Sequence, residues 1–81
     1  MKWDRLKYFH IVSQTLNLKR ASEIMNISHS SLSRQISFLE NEMKTKLFFR
    51  NSKGLSLSPD GKKLAKEVNE ISSQIENIQN L

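Results

Sequence analysis

The stretch Ala21-Ser-Glu-Ile-Met-Asn-Ile-Ser-His-Ser-Ser-Leu-Ser-Arg-Gln-Ile-Ser-Phe-Leu-Glu40 decides the fold of this 81-residue chain. It reads as two helices joined by a tight turn at Asn26-Ile27-Ser28. Asparagine tolerates the left-handed conformation that ends a helix, and serine is a favoured N-cap for the next one. After Ser28 the apolar residues Leu32, Ile36, Leu39 and Met43 lie four, three and four apart, which is one face of a helix. At about 100° per residue the opposite face carries Ser30, Arg34, Ser37 and Asn41, with His29 and Ser33 on its flank. That outer face is small and polar and bears one arginine. It suits a helix that enters a groove and reads the edges inside.

Composition narrows the setting. Eighty-one residues make one small domain with a modest core. A formal net charge of +5 favours an acidic partner, nucleic acid or anionic lipid. There is no cysteine, which excludes a disulfide framework and Cys-based zinc sites. No apolar run approaches a membrane span, and Met1-Lys-Trp-Asp-Arg-Leu-Lys7 is too charged for a signal peptide, so a cytoplasmic location is expected. The charge is uneven. Residues 1–66 hold all thirteen Lys and Arg against five acids, +8, whereas residues 67–81 hold Glu67, Glu70 and Glu76 and no base, −3. Only the basic body is expected to touch a polyanion.

Around the central pair, the chain supplies the rest of a small helical domain. A first helix is expected from Asp4 to Leu16, with Leu6, Phe9, Val12, Ser13 and Leu16 inward, Trp3 leading in and Tyr8 and Ile11 flanking. His10 is expected to be exposed. Asn17 to Lys19 breaks that helix. The short helix after it should turn Ala21, Ile24 and Met25 inward and Lys19, Arg20 and Glu23 outward. The second helix of the pair should end near Met43-Lys44. Beyond it Lys46-Leu-Phe-Phe-Arg50 is β-prone, Asn51-Ser-Lys-Gly54 has turn chemistry, and Leu55-Ser-Leu-Ser58 alternates. These segments make a two-stranded wing with Lys53 and Gly54 near its tip, and Lys44, Lys46, Arg50 and Lys53 on the side where a duplex would lie.

Ser58-Pro59-Asp60 then starts a last helix, with serine as N-cap and proline at the first helical position. Gly61, Leu64, Val68, Ile71, Ile75 and Ile78 follow at spacings of 3, 4, 3, 4 and 3, a narrow seam of the kind that pairs two helices. The expected fold is therefore mainly α: a winged helix-turn-helix over residues 1–58, with a three-helix core and a two-stranded wing. A long linker and dimerisation helix follows over residues 59–81. The periodicity runs to the final residues without a C-cap, so the chain is expected to continue in a longer parent protein.

Several of these segments, in order, resemble the N-terminal DNA-binding domain of LysR-type bacterial transcriptional regulators. The family's opening Leu-x-x-Phe looks like Leu6 and Phe9, and its Arg-Ala-Ala is similar to Arg20-Ala21-Ser22. Its Ser-Gln-x-x-Leu-Ser-Arg-Gln-Ile is similar to Ser28 through Ile36, and its Leu-Glu to Leu39-Glu40. Leu-Phe-x-Arg matches Leu47-Phe48-Phe49-Arg50, and Leu-Thr-x-x-Gly resembles Leu57-Ser58-Pro59-Asp60-Gly61. Four positions depart from the pattern. His29 stands where glutamine is usual, Lys44 replaces a common helix-ending glycine and so calls for a different C-cap, Lys19 stands where Thr or Ser often caps, and Phe49 stands where Glu is frequent.

The resemblance implies sequence-specific binding of double-stranded DNA. The second helix of the pair would lie in the major groove, and the wing on the backbone or minor groove. Candidate base contacts are His29, Ser30, Ser33 and Arg34. Arg34 can bond guanine bidentately, or else clamp a phosphate or pair with Glu40 or Glu42. Candidate backbone contacts are Arg20, Ser28, Ser31, Ser37, Arg50, Ser52 and Lys53, which position the protein without specifying sequence. The dimer seam is Leu64, Val68, Ile71, Ile75 and Ile78, giving a homodimer on a dyad-symmetric operator and a tetramer in a full-length parent. A small-molecule inducer would act only through an effector-binding domain that these residues do not contain. No metal, cofactor or catalytic residue is expected, because no nucleophile–base pair or phosphate loop can be assembled. Two other readings stay open from the residues: a protein-interaction module built on the last helix, and a winged-helix regulator of another family, such as the molybdate-responsive or multiple-antibiotic-resistance regulators.

Overall fold

The computed structural model describes all 81 residues. Their order is α1 (Trp3–Thr15), α2 (Leu18–Met25), α3 (His29–Met43), β1 (Phe48–Asn51), β2 (Gly54–Leu57) and α4 (Pro59–Gln79). α1 packs against α2, α3 and α4, and α2 against α3. Between them lies the core of Phe9, Val12, Leu18, Ala21, Leu32, Ile36, Leu39, Leu47, Phe48 and Val68. The rings of Phe9 and Phe48 meet at 5.3 Å, tying the wing's first strand to α1.

Three helices end on a left-handed residue: Leu16, Asn26 and Lys44. At Asn26 and Lys44 the bonding is a Schellman pair. Asn26 N–H donates to Glu23 and Ile27 N–H to Ser22; Lys44 N–H donates to Asn41 and Thr45 N–H to Glu40. Lys44 therefore needs no different cap, contrary to the expectation from its replacing a glycine. The lysine itself adopts φ 56° and ψ 38°. The break after α1 is also shorter than Asn17–Lys19. It lies at Leu16-Asn17, where Asn17 Oδ1 accepts the Arg20 N–H at 3.0 Å, so the cap is Asn17 and Lys19 is already helical.

Ile24 is the clearest misplacement in the sequence-based core. It is 56% exposed, whereas Leu18, Ala21 and Ser22 are buried and Met25 is half-buried. Those four positions define the inward arc of α2, and Ile24 falls roughly 110° from its centre at 100° per residue. Buried Ser22 satisfies its hydroxyl by donating to Lys19 O at 2.7 Å. Trp3 is 38% exposed, and His10 is half-buried rather than exposed, its Nδ1 sealed without a hydrogen-bond partner where α1 faces α4.

The strands pair antiparallel, Phe48 with Leu57 through Asn51 with Gly54, around the two-residue turn Ser52-Lys53. β1 starts at Phe48, not Lys46, because the Leu47 N–H is taken by the carboxylate of Glu40 on α3. Gly54 sits at φ 128°, and a Cβ there would lie 3.1 Å from the Leu16 carbonyl, the same carbonyl that accepts the Leu55 N–H at 3.2 Å. The wing is thus hung on the α1–α2 turn. Ser58 caps α4 by accepting the Gly61 N–H, and its hydroxyl donates to Lys46 O at 2.6 Å. Gly61 is packed on the Leu47 carbonyl, where no side chain fits.

The first ten residues of α4 lean on the body, with Val68 fully buried in the core and Leu64 half-buried. Beyond that Ser72, Ile75 and Gln79 border a groove shared with Trp3 and His10 of α1, and the molecule measures 42 Å against 26 and 23 Å in the other directions. Ile71, Ile75 and Ile78 are 39, 37 and 67% exposed. No helix is long and apolar enough to cross a membrane. The architecture is a winged helix-turn-helix, mainly α, with a long C-terminal helix.

Candidate nucleic-acid interface

α3 presents the outer face that the spacing predicts. Leu32, Ile36 and Leu39 are buried, while His29, Ser30, Arg34, Ser37 and Asn41 are exposed and Ser33 is half-buried. Its start is organised by Ser28, whose Oγ accepts the Ser31 N–H at 3.1 Å and donates to Ser31 Oγ at 2.8 Å. Ser30 Oγ lies 3.3 Å from the same hydroxyl. Three hydroxyls therefore meet at the positive end of the α3 dipole, a surface suited to a phosphate oxygen.

Both flanks of this face are bracketed. On one side the wing approaches: Arg50 Nη2 donates to Ser33 Oγ at 3.1 Å, and a groove between helix and wing is lined by Ser33, Ser37, Lys46, Phe49 and Arg50. On the other side Arg5 of α1 donates to Gln35 at 3.3 Å and to Glu42 at 2.6 Å, and its guanidinium lies 5.0 Å from the Phe38 ring centroid. Its donated hydrogen bond and positive charge hold the Glu42 carboxyl below the usual carboxylate range. Sequence reasoning missed Arg5, which carries no signal of its own in the periodicity.

Arg34 makes no ion pair. Glu40 and Glu42, the two acids within reach in sequence, are engaged elsewhere: Glu42 by Arg5, Glu40 by the N–H groups of Leu47 and Phe48, with Lys46 Nζ 3.9 Å away. The guanidinium is left free at the centre of the exposed face. Arg20 extends from the first turn of α2, also without a partner. Ser52 and Lys53 form the wing tip, held by the Lys53 N–H donating to Asn51 Oδ1 at 2.9 Å. His29 lines a hollow with Lys19, Arg50 and Asn51. The basic residues beyond α3 divide: Lys46 and Arg50 share the helix–wing groove, whereas Lys44 lines a neighbouring hollow with Asn41 and Thr45. Phe49 is a 51% exposed apolar spot on the wing.

The proposed seam on α4 splits. Val68 is consumed by the chain's own core and Leu64 packs against it, whereas Ile71, Ile75 and Ile78 stay exposed. Ile75 borders a largely apolar groove with Trp3, Ile24 and Met25, so the exposed patch spreads from α4 onto α1 and α2.

Residues 3–62 match the family model described as "Bacterial regulatory helix-turn-helix protein, lysR family". The chain is 37% identical over 79 residues to the HTH-type transcriptional regulator CzcR of Bacillus subtilis (strain 168), covering 98% of this chain and 27% of that protein. It is 31% identical over 71 residues to the HTH-type transcriptional regulator YofA of Bacillus velezensis, covering 88% of this chain and 25% of that one. Among solved structures, the complex of the BenM DNA-binding domain with catB site 1 DNA superposes with a TM-score of 0.90 at 26% identity. That match covers 99% of this chain and 90% of that one. The chain spans about a quarter of the length of the curated relatives it matches.

Proposed function

Because the chain belongs to the lysR family of bacterial regulatory helix-turn-helix proteins, and is a DNA-binding domain of that type, we propose that it reads a dyad-symmetric duplex operator as half of a homodimer. In this reading residues 1–58 are the reader and residues 59–81 the linker and dimerisation helix. α3 enters the major groove, whose ~12 Å width admits an α-helix, and the wing follows the backbone or the minor groove. The observation that carries the proposal is the free Arg34 guanidinium on an exposed polar helix face whose neighbouring acids are already engaged.

His29, Ser30, Ser33 and Arg34 face the base edges. Arg20, Ser28, Ser31, Ser37, Arg50, Ser52 and Lys53 meet phosphates and set the register. Ser31 fits its part because its oxygen already accepts from Ser28, leaving its own proton for a phosphate oxygen. The dimer contact narrows to Ile71, Ile75 and Ile78, continued by Trp3 and Ile24. Regulation of transcription in the cytoplasm, a tetrameric parent and any inducer response complete the reading, the last two through sequence outside these 81 residues.

Selection from random duplexes, followed by a salt titration on the winner, tests it. Two half-sites with dyad symmetry are expected. So is a fall in affinity of roughly 10³–10⁵ between about 50 and 200 mM salt, the behaviour of a protein that clamps six to ten phosphates. A flat salt response, or selection of no sequence, defeats the proposal.

A further inference from the structure

Ser33 is the one candidate base contact on α3 whose side chain is already bonded to the wing. We infer that Arg50 is a positioning residue that makes Ser33 a hydrogen-bond donor toward DNA, so that Ser33 selects a base edge offering an acceptor. The inference rests on the DNA-reading proposal above.

A serine hydroxyl has one proton to donate and two lone pairs with which to accept, and ordinarily serves donor and acceptor edges alike. Here Arg50 Nη2 donates into Ser33 Oγ at 3.1 Å. A charged donor on the oxygen polarises the O–H bond and strengthens the proton it offers onward. That proton has no internal use. Ser13, Thr15 and Ser22 turn their hydroxyls back onto carbonyls of the preceding turn, at His10, Ile11 and Lys19, whereas Ser33 makes no such bond. Its oxygen is held beside the wing by Arg50.

In the major groove guanine presents only acceptors, N7 and O6, while cytosine presents only the N4 amino donor. A donor-biased Ser33 therefore favours guanine, or the N7 of adenine or O4 of thymine, and disfavours cytosine at the base it meets. The same bond makes recognition depend on the wing. Arg50 stands on β1, whose Phe48 N–H is held by Glu40 of α3, and the paired strand β2 is tied to the α1–α2 turn by the Leu55 N–H on the Leu16 carbonyl. Any shift of β1 alters what Ser33 can read.

The test measures a complete single-base substitution series of the selected operator against the intact chain, Ser33→Ala, Arg50→Met and Arg34→Ala. Far-ultraviolet melting establishes that each variant is folded. Ser33→Ala is expected to flatten preference at one position, or two adjacent ones, where an acceptor-bearing base is favoured, with a loss of roughly fivefold to tenfold for one hydrogen bond. Arg50→Met should flatten the same position, or admit cytosine there, while the preferences that Arg34→Ala removes persist. If Arg50→Met weakens every duplex by one common factor and leaves the Ser33 position intact, Arg50 is a backbone contact only and the inference is overturned. It is overturned equally if Ser33→Ala flattens nothing. Loss of salt-dependent, sequence-selective binding by the unaltered chain is a different result: that outcome removes the DNA-reading proposal itself.

Discussion

Glu40 Oε2 accepts the Leu47 N–H at 2.7 Å and the Phe48 N–H at 3.3 Å, so one carboxylate on the reading helix holds the first residues of the wing. Its side chain is only 11% exposed, and without it two backbone donors at the base of β1 lose their acceptor. A charged acceptor in this position contributes about 1.5–3 kcal/mol. Glu40→Ala should cost about 2 kcal/mol in urea unfolding, and Glu40→Gln roughly half, since an amide oxygen still accepts. Equal loss for the two variants would show that packing, not the hydrogen bonds, is what Glu40 supplies.

Lys44 ends α3 in the left-handed region at φ 56° with its side chain exposed. An L-residue there carries a penalty of roughly 1–2 kcal/mol that glycine escapes, offset in part by glycine's greater chain entropy when unfolded. Lys44→Gly should therefore raise stability by about 0.5–1 kcal/mol. Leu16 has the same backbone geometry, but its side chain packs against the core. Leu16→Gly should lower stability because the lost burial outweighs the relief. Denaturant midpoints moving in opposite directions are the expected pattern, and a fall for both would disprove the backbone account of Lys44.

Glu42 gives a pH signature on the acid side. Arg5 depresses its folded-state carboxyl, so the stabilisation it provides is complete above the unfolded carboxylate value of about 4.3 and disappears as pH falls through the folded one. Thermal melts of the chain should drop more steeply below about pH 4.5 than those of Glu42→Gln. Salt should shrink the gap, because the carboxylate is solvent-exposed. Parallel curves for the two proteins would remove Arg5–Glu42 as a contributor.

In the proposed reading Arg34 contacts bases and Lys53 the backbone, and the two roles can be separated. Arg34→Ala is expected to lose about 1–3 kcal/mol on the selected operator and little on random duplex, collapsing the ratio between them. Lys53→Ala, at the wing tip, should weaken both by a similar factor and reduce the salt slope by about one. Equal loss on both duplexes for Arg34→Ala would reassign it to the backbone.

What could be read from residues alone, and what could not, follows from where the information resides. Leu32, Ile36 and Leu39 announce α3 because burial on one face repeats at the helical period, and Ser28 and Ser58 announce helix starts because their caps are local. Leu16 in a left-handed conformation is not announced, since leucine has no preference for it. The Asn17 cap and the Leu55 N–H on the Leu16 carbonyl hold it there. The Arg5 bracket and the Glu40 hold on the wing join residues 30 or more apart and seven apart across a turn, contacts that no period encodes. The α4 heptad shows the opposite failure. Val68 and Ile75 occupy equivalent places in one repeat, yet the body covers only the first.

That split makes the dimer proposal sharp. Val68 is 1% exposed within the core, whereas Ile75 is 37% exposed on the C-terminal half of α4, beside Trp3 and Ile24. Val68→Asp buries an unpaired carboxylate and should unfold the chain. Ile75→Asp should leave its melting curve at low concentration nearly unchanged but abolish association. Equilibrium sedimentation at tens of micromolar is expected to show a dimer for the intact chain and a monomer for Ile75→Asp. Ile24→Asp should give an intermediate weakening if α2 shares the contact. A chain that is monomeric throughout that range, with mass unaffected by Ile75→Asp, would mean that the exposed isoleucines are not what joins two copies on the operator.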